Sequence, residues 1–222
     1  MDYKTEQEAF WSGEFGDQYV ERNACSKEHL AASTALFANI LGKTAGIQTM
    51  IEFGCNVGMN LKAIKTLLPK IEQAAIEINH KAVTVLKNDP FFADSLQIYE
   101  TSFLDFQPEK CYDFVLSAGV LIHTSPDELH RVYENMYRCA GKYICISEYY
   151  NPTPVEVVYR GHEGRLFKRD FAGEFLDLYP DFHLVDYGFQ YHRDPNFPID
   201  DGTWFLLEKQ KGACYGNGSE FE

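Results

Sequence analysis

No uninterrupted apolar run in the 222 residues approaches the ~18 that a membrane-spanning helix needs, and no basic amphipathic helix offers a membrane-surface alternative. The six cysteines, Cys25, Cys55, Cys111, Cys139, Cys145 and Cys214, form no C-x-x-C pair. That excludes the usual zinc sites and a disulfide framework, and it suits reduced thiols in the cytoplasm. The seven histidines contain no H-E-x-x-H, so no metal site is expected. Basic residues are in deficit, 20 against 33 acidic ones, for a net charge of −13. A surface that acidic repels nucleic acid and favours a small ligand. Repeats and low-complexity linkers are also missing. The first residues, "MDYKTEQEAF", are too polar for a secretory signal.

What is present is an alternation of short apolar runs and helical patterns. Leu30, Thr34, Phe37 and Leu41 recur at helical spacing ahead of Gly42. "TMIEF" (49–53) reads as a buried strand, and Asn60–Leu68 as a helix stopped by Pro69. "EQAAIEI" (72–78) is a second strand, and Asn79 is placed to cap a helix reaching about Lys87. "LQIYETS" (96–102) and "YDFVLSAGV" (112–120) follow as strands. The fourth is apolar on both faces, as a central parallel strand is.

"SPDE" (125–128) combines a cap, a first-turn proline and a capping-box glutamate. Leu129, Val132, Tyr133, Met136 and Tyr137 then make one stripe, with Gly141 as the stop before "KYICISE" (142–148). After a long connection, 166–180 reads as a helix, and 182–194 and 201–209 as paired antiparallel strands. The fold class is therefore α/β: a Rossmann-like, doubly wound, mostly parallel seven-stranded sheet. An antiparallel C-terminal hairpin forms its edge, and an N-terminal helical lid covers it. Residues 1–210 make one domain, with a lid and helix (1–45), a cofactor half (46–150) and a substrate half (151–210). Residues 211–222 make a disordered tail whose "GSEFE" resembles a cloning remnant.

In such sheets ligands lie beyond the carboxyl ends of the strands. The stretch "IEFGCNVG" (51–58) sits there, its glycines allowing a tight turn and close approach of a ligand, with Asn56 tolerant of positive φ. Its glycines are four apart, unlike the G-x-G-x-x-G of dinucleotide folds. Glu52 beside the loop opposes a pyrophosphate and suits a cation. S-adenosylmethionine, with its sulfonium and ammonium, is such a ligand. Glu77, at the end of the second strand, can accept both ribose hydroxyls. A nicotinamide oxidoreductase is the competing enzyme reading, and a silent cofactor-binding accessory protein the non-enzymatic one.

"IEFGCNVGMNL", "AIEIN", "YDFVLSAGVLIH" and "ISEYY" resemble the successive motifs of class I S-adenosylmethionine-dependent methyltransferases over about residues 10–150. Segments 10–23, 148–174 and 187–209 are similar to the pseudaminic acid biosynthesis-associated methylases. The loop departs from the family pattern at Asn56, where glycine is usual. The resemblance implies that Gly54, Asn56 and Gly58 underlie the methionine moiety, with Glu52 supporting the loop or the ammonium. It implies Glu77 on the ribose, Ser102 and Phe103 beside the adenine, and Ala118 and Gly119 offering backbone to the methionine. Phe15, Tyr19 and Arg22 would cover the site.

For the chemistry, His123 after the fourth strand and Glu148 after the fifth are candidate bases. The alternatives are that His123 packs under the cofactor and that Glu148 binds loop amides. Tyr149 and Tyr150 are candidate pocket walls. Arg160, His162, Arg165, Lys168 and Arg169 form a basic cluster offset only by Glu163. Such a cluster points to an anionic acceptor: an acidic sugar, its nucleotide conjugate, or a small carboxylate or phosphonate.

Overall fold

Two short helices lead the chain, α1 (Glu6–Ser12) and α2 (Glu14–Arg22), followed by α3 (Lys27–Leu41). This computed structural model describes residues 3–23 and 26–210. The expected tail, 211–222, lies outside them, as do Cys25 and Cys214. Strand β1 (Thr49–Phe53), α4 (Met59–Leu67), β2 (Glu72–Glu77), α5 (His80–Asn88), β3 (Leu96–Glu100) and β4 (Tyr112–Ala118) alternate as the apolar runs imply. Then come α6 (Leu129–Cys139), β5 (Ala140–Glu148), the two-residue strands β6 (Val155–Glu156) and β7 (Phe167–Lys168), α7 (Phe171–Leu178), β8 (Phe182–Phe189) and β9 (Thr203–Lys209).

The seven-stranded sheet has the order β3-β2-β1-β4-β5-β9-β8. Its first five strands are parallel, while β9 runs antiparallel to both β5 and β8. Successive side chains on a strand face opposite sides, so each central strand serves two cores. Ile51, Val115, Ile144 and Ile146 pack with α6 and α7. Met50, Phe114, Leu116 and Cys145 pack with α3 and α4. This continuous apolar demand on both faces reads clearly as parallel strand. Among the described residues, no helix is long and apolar enough to cross a membrane.

Four local expectations are corrected. Ser125 makes no side-chain cap, because Pro126–Glu128 is a 3₁₀ turn and α6 begins only at Leu129. Gly141 does not stop the helix: α6 ends at Cys139, and Gly141 lies in β5, close against the Tyr112 carbonyl. The helix over 166–180 shrinks to α7, since Asp170 caps at Gly173 N and the preceding Phe167–Lys168 pairs with β6. The long connection after Pro152 thus contains a small two-stranded sheet of its own. The last strand pair is also shorter than 182–194 and 201–209 imply.

Candidate functional site

The chain turns after β1 through three left-handed residues, Gly54 (φ +67°), Asn56 (φ +49°) and Gly58 (φ +77°). Gly54 N donates to the Ile76 carbonyl at 2.8 Å, fastening the loop to β2. A Cβ on Gly54 would come within 2.7 Å of Val120, and one on Gly58 within 2.7 Å of Leu86 and 2.9 Å of Phe92. At both positions the space a Cβ would need is taken by protein side chains. The open position is Gly119, also left-handed (φ +67°), where a Cβ would meet nothing within 4 Å.

Three carboxylates stand toward the carboxyl ends of β2, β1 and β5. Glu77 accepts from Asn56 N at 2.7 Å through Oε2 and from Asn79 N at 2.8 Å through Oε1. Burial raises its pKa, and the amide bonds work against that rise. The Ile78 amide also bonds to this carboxylate, which with these three bonds keeps capacity to accept one more. Glu52 is 1% exposed; its Oε1 accepts from Asn60 Nδ2 at 2.7 Å, while Oε2 is buried without a partner. Burial pushes its carboxyl up to about 8, with Glu77 adding to the rise. Glu148 Oε1 accepts from Ser117 Oγ (2.9 Å), Val120 N (3.1 Å) and Leu121 N (3.1 Å), and Oε2 from Ile122 N (3.4 Å). Burial still lifts it to about 7. Oε1 is filled by these bonds, while Oε2 takes only the long one from Ile122 N; the contacts present are those of a loop acceptor.

His123 lies on the 3₁₀ turn Leu121–His123. Its Nδ1 is 2.5 Å from the Arg165 carbonyl. A carbonyl only accepts, so the proton is on Nδ1 and Nε2 carries the free lone pair. Burial lowers its pKa to about 4, keeping it neutral. The ring packs on Trp11 (4.5 Å between centroids) and Tyr159 (4.9 Å).

The N-terminal helices close over these strand ends. Asn79 caps α5 and also donates from Nδ2 to the Trp11 carbonyl (3.1 Å) and Asp17 Oδ1 (2.9 Å). Ser102 Oγ donates to Glu8 of α1, and Lys4 pairs with Asp105. Beneath the lid is a cavity of about 320 Å³. It is lined by Tyr19, Glu52, Gly54, Asn56, Glu77, Ser102, Phe103, Ala118, Gly119, His123, Glu148 and Tyr149.

Gly58, beside the lining loop, is turned into the packing with Leu86 and Phe92.

The remaining expected contacts are elsewhere. Arg22 is exposed and stands over the Phe15 ring (5.4 Å), with Phe15 itself stacked on Phe10 (4.1 Å). Tyr150 is 41% exposed and packs toward Phe205. The basic cluster is dispersed. Arg169 Nε pairs with Glu174 at 2.7 Å, Arg165 with Glu6 at 3.2 Å, and His162 packs on Phe10 and Phe15. Exposed Arg160 stands over Tyr159 (5.8 Å) and Lys168 over Tyr149 (5.2 Å), on rings whose residues line the cavity. Among the described residues no lysine or arginine lines the cavity, and Arg160, His162 and Arg169, expected to form an anion pocket, are not among its lining residues.

Sequence reading missed Glu8, Trp11, Tyr159, Gln190 and Asp200, all on the cavity wall. The capping box Thr5–Glu8 is legible as a helix start. Nothing local reveals that Glu8 reaches Ser102. Tyr149 Oη donates to Asp200 at 3.4 Å, and Gln190 Nε2 to Ser147 Oγ at 2.8 Å, both across the antiparallel edge.

No family model matches the chain. Over 109 residues it is 28% identical to the tRNA N(3)-cytidine methyltransferase METTL6 of Homo sapiens, covering 46% of this chain and 38% of that protein. The chain thus spans well under half the length of this curated relative. The structure is similar to the magnesium protoporphyrin IX methyltransferase of Synechocystis PCC 6803 with bound S-adenosylhomocysteine. The TM-score is 0.68 at 13% identity, covering 92% of this chain and 100% of that one. It is also similar to the N-methyltransferase NodS of Bradyrhizobium japonicum WM9 in complex with S-adenosylhomocysteine. There the TM-score is 0.63 at 13% identity, covering 86% and 97%. Likeness at such identity speaks for the fold: the chain has the fold of class I S-adenosylmethionine-dependent methyltransferases.

Proposed function

We propose that this chain is an S-adenosylmethionine-dependent methyltransferase acting on a small, ring-bearing acceptor. The observation that carries the reading is Glu52 Oε2: a buried, unpartnered carboxylate oxygen beside a left-handed loop, suited to a ligand ammonium. The same oxygen opposes a pyrophosphate and so disfavours a nicotinamide cofactor. In this reading the loop Gly54–Gly58 underlies the methionine moiety and Glu77 accepts from the ribose. Ser102 and Phe103 border the adenine, Ala118 and Gly119 offer backbone, and Tyr19 covers the site from the lid. Arg22 stands behind that tyrosine, over its ring at 6.0 Å.

The bound cofactor would supply an already activated methyl group, so the protein's task is alignment and exclusion of water. Closure of α1 and α2 does the second. Glu148 acts as a positioning residue, holding the turn from Val120 to Ile122. His123 Nε2 accepts a hydrogen bond from the acceptor's nucleophile. A group with pKa about 4 is a weak base, suited to orienting a hydroxyl or amine more than to stripping it early.

Trp11, Tyr149 and Tyr159 give the acceptor flat walls, and Gln190 and Asp200 give it polar contacts. An acidic sugar would find counter-charge only one layer out, from Arg160 and Lys168. The narrower acidic-sugar reading then draws on the basic cluster only at this distance, and the pseudaminic acid subgroup rests on its sequence segments alone. An RNA acceptor is opposed by the charge of −13.

Calorimetry with S-adenosylhomocysteine tests the cofactor. Turnover of labelled donor against acidic sugars, small amines, flat heterocycles and tRNA tests the acceptor. Absence of heat from well-folded protein would sink the reading. Binding without turnover on any acceptor would favour a silent accessory protein.

A further inference from the structure

Along the carboxyl edge the strand ends run β3, β2, β1, β4, β5. Granted the cofactor reading above, on which this inference rests, the ribose sits at β2 on Glu77 and the methionine lies over β1 and β4. The base then has one direction left, toward β3, about one strand spacing or ~5 Å away. The cavity wall there consists of Ile78, Ser102, Phe103 and Leu104, with a single charge, Glu8. Ile78 and Phe103 are half-buried and supply apolar faces for a purine.

Glu8 belongs to the lid, not to the sheet, and is 7% exposed. Its Oε2 is occupied by Lys4 N at 2.5 Å and Thr5 N at 3.1 Å. Among the described residues its Oε1 accepts from the Ser102 hydroxyl, which leaves that oxygen one lone pair on a residue that lines the cavity. Ser102 Oγ gives its proton to Glu8 and accepts from Leu104 N at 3.0 Å, which leaves it one neutral lone pair, a weaker acceptor than the Glu8 carboxylate. An ionised carboxylate accepts and cannot donate. Adenine offers an amino donor at C6, and hypoxanthine offers an acceptor oxygen at the same place.

We propose that Glu8 reads the 6-amino group of the cofactor's adenine. Base recognition is thereby built into the lid: α1 must be closed for the contact to exist.

The test compares binding of S-adenosylhomocysteine and S-inosylhomocysteine by calorimetry, in the wild-type chain, Glu8→Gln and Ser102→Ala. Glu8→Gln keeps the capping box, and thermal melting checks that each variant is folded. The wild type should prefer the adenosyl ligand by about 100-fold, the size of one hydrogen bond to a charged group. In Glu8→Gln that preference should fall below about 5-fold, with the inosyl ligand binding more tightly in absolute terms, because an amide can donate to its oxygen. Ser102→Ala should keep most of the preference. The proposal is overturned if Glu8→Gln weakens both ligands by the same factor, which would make Glu8 a lid-positioning residue, or if the wild type shows no preference. Failure of the wild type to bind either ligand would instead overturn the cofactor reading itself.

Discussion

Two stretches of the cavity wall are built differently. Between Thr49 and Glu148 the functional groups are strand-end carboxylates. Two of them, Glu77 and Glu148, are held by backbone amides of adjoining loops, and Glu52 is held by Asn60 eight residues on. Between Tyr149 and Asp200 the wall is made of two tyrosines, Tyr149 and Tyr159, with Gln190, Ile199 and Asp200. Their supports come from the lid, from β5 and from the far side of the sheet. The first stretch is rigid by local geometry, and the second is specific by assembly. A donor common to many reactions needs one fixed cradle, whereas an acceptor peculiar to one reaction needs walls that can differ.

The sharpest way to break this contrast is Glu77→Ala. It removes the acceptor for three backbone amides and for the ribose together. Calorimetry should show S-adenosylhomocysteine affinity falling by roughly 100-fold or more, given ~1.5–3 kcal/mol per charged hydrogen bond. Asp200→Ala, across the divide, should change that affinity less than about 2-fold while raising the acceptor KM. Equal effects would erase the division.

Within the cofactor half, two left-handed glycines should behave differently. Gly58→Ala drives a Cβ to within 2.7 Å of Leu86 and should cost about 2–4 kcal/mol of stability, read as a clear drop in Tm. Gly119→Ala meets nothing within 4 Å and should cost only about 1 kcal/mol, yet it should weaken cofactor binding because the new methyl enters the cavity.

A smaller effect is proton linkage. Glu52 rises from the ordinary 4.5 to about 8 and Glu148 to about 7, both through burial. A raised carboxyl contributes stability that is fully present below 4.5 and is lost as pH rises through the folded values, so the free protein should weaken between about pH 5 and 8. An ammonium beside Glu52 should ionise it. Calorimetry at pH 7 in buffers of different ionisation enthalpy should then show about one proton released on binding, absent in Glu52→Gln. Equal enthalpies in both buffers would contradict this role. Smallest of all, Arg169→Ala should leave the acceptor KM unchanged and cost at most about 1 kcal/mol, through the loss of its pair with Glu174.

The contrast also explains what could be read in advance. "TMIEF" matches β1 residue for residue, Asn79 caps α5, and Asn56 adopts positive φ; each follows from a propensity within a few positions. Ser125 misled because capping statistics do not distinguish a 3₁₀ turn from the first α turn. Phe167 and Lys168 look helical until β6 claims them. Arg160 to Arg169 read as one basic cluster because they are neighbours in sequence. In space their partners differ: Glu6 for Arg165, Glu174 for Arg169, a tyrosine face for Arg160.

The sequence by itself determined the parallel sheet, the carboxylates at its strand ends and the left-handed loop between them. Burial on both faces of a strand and backbone dihedral preference act over a few residues and leave a local trace. Only the tertiary structure decided which groups face the cavity. It brought Glu8 to Ser102 and Trp11 to His123, and turned Arg169 away, because those choices depend on which distant surfaces meet when two apolar cores close on one sheet.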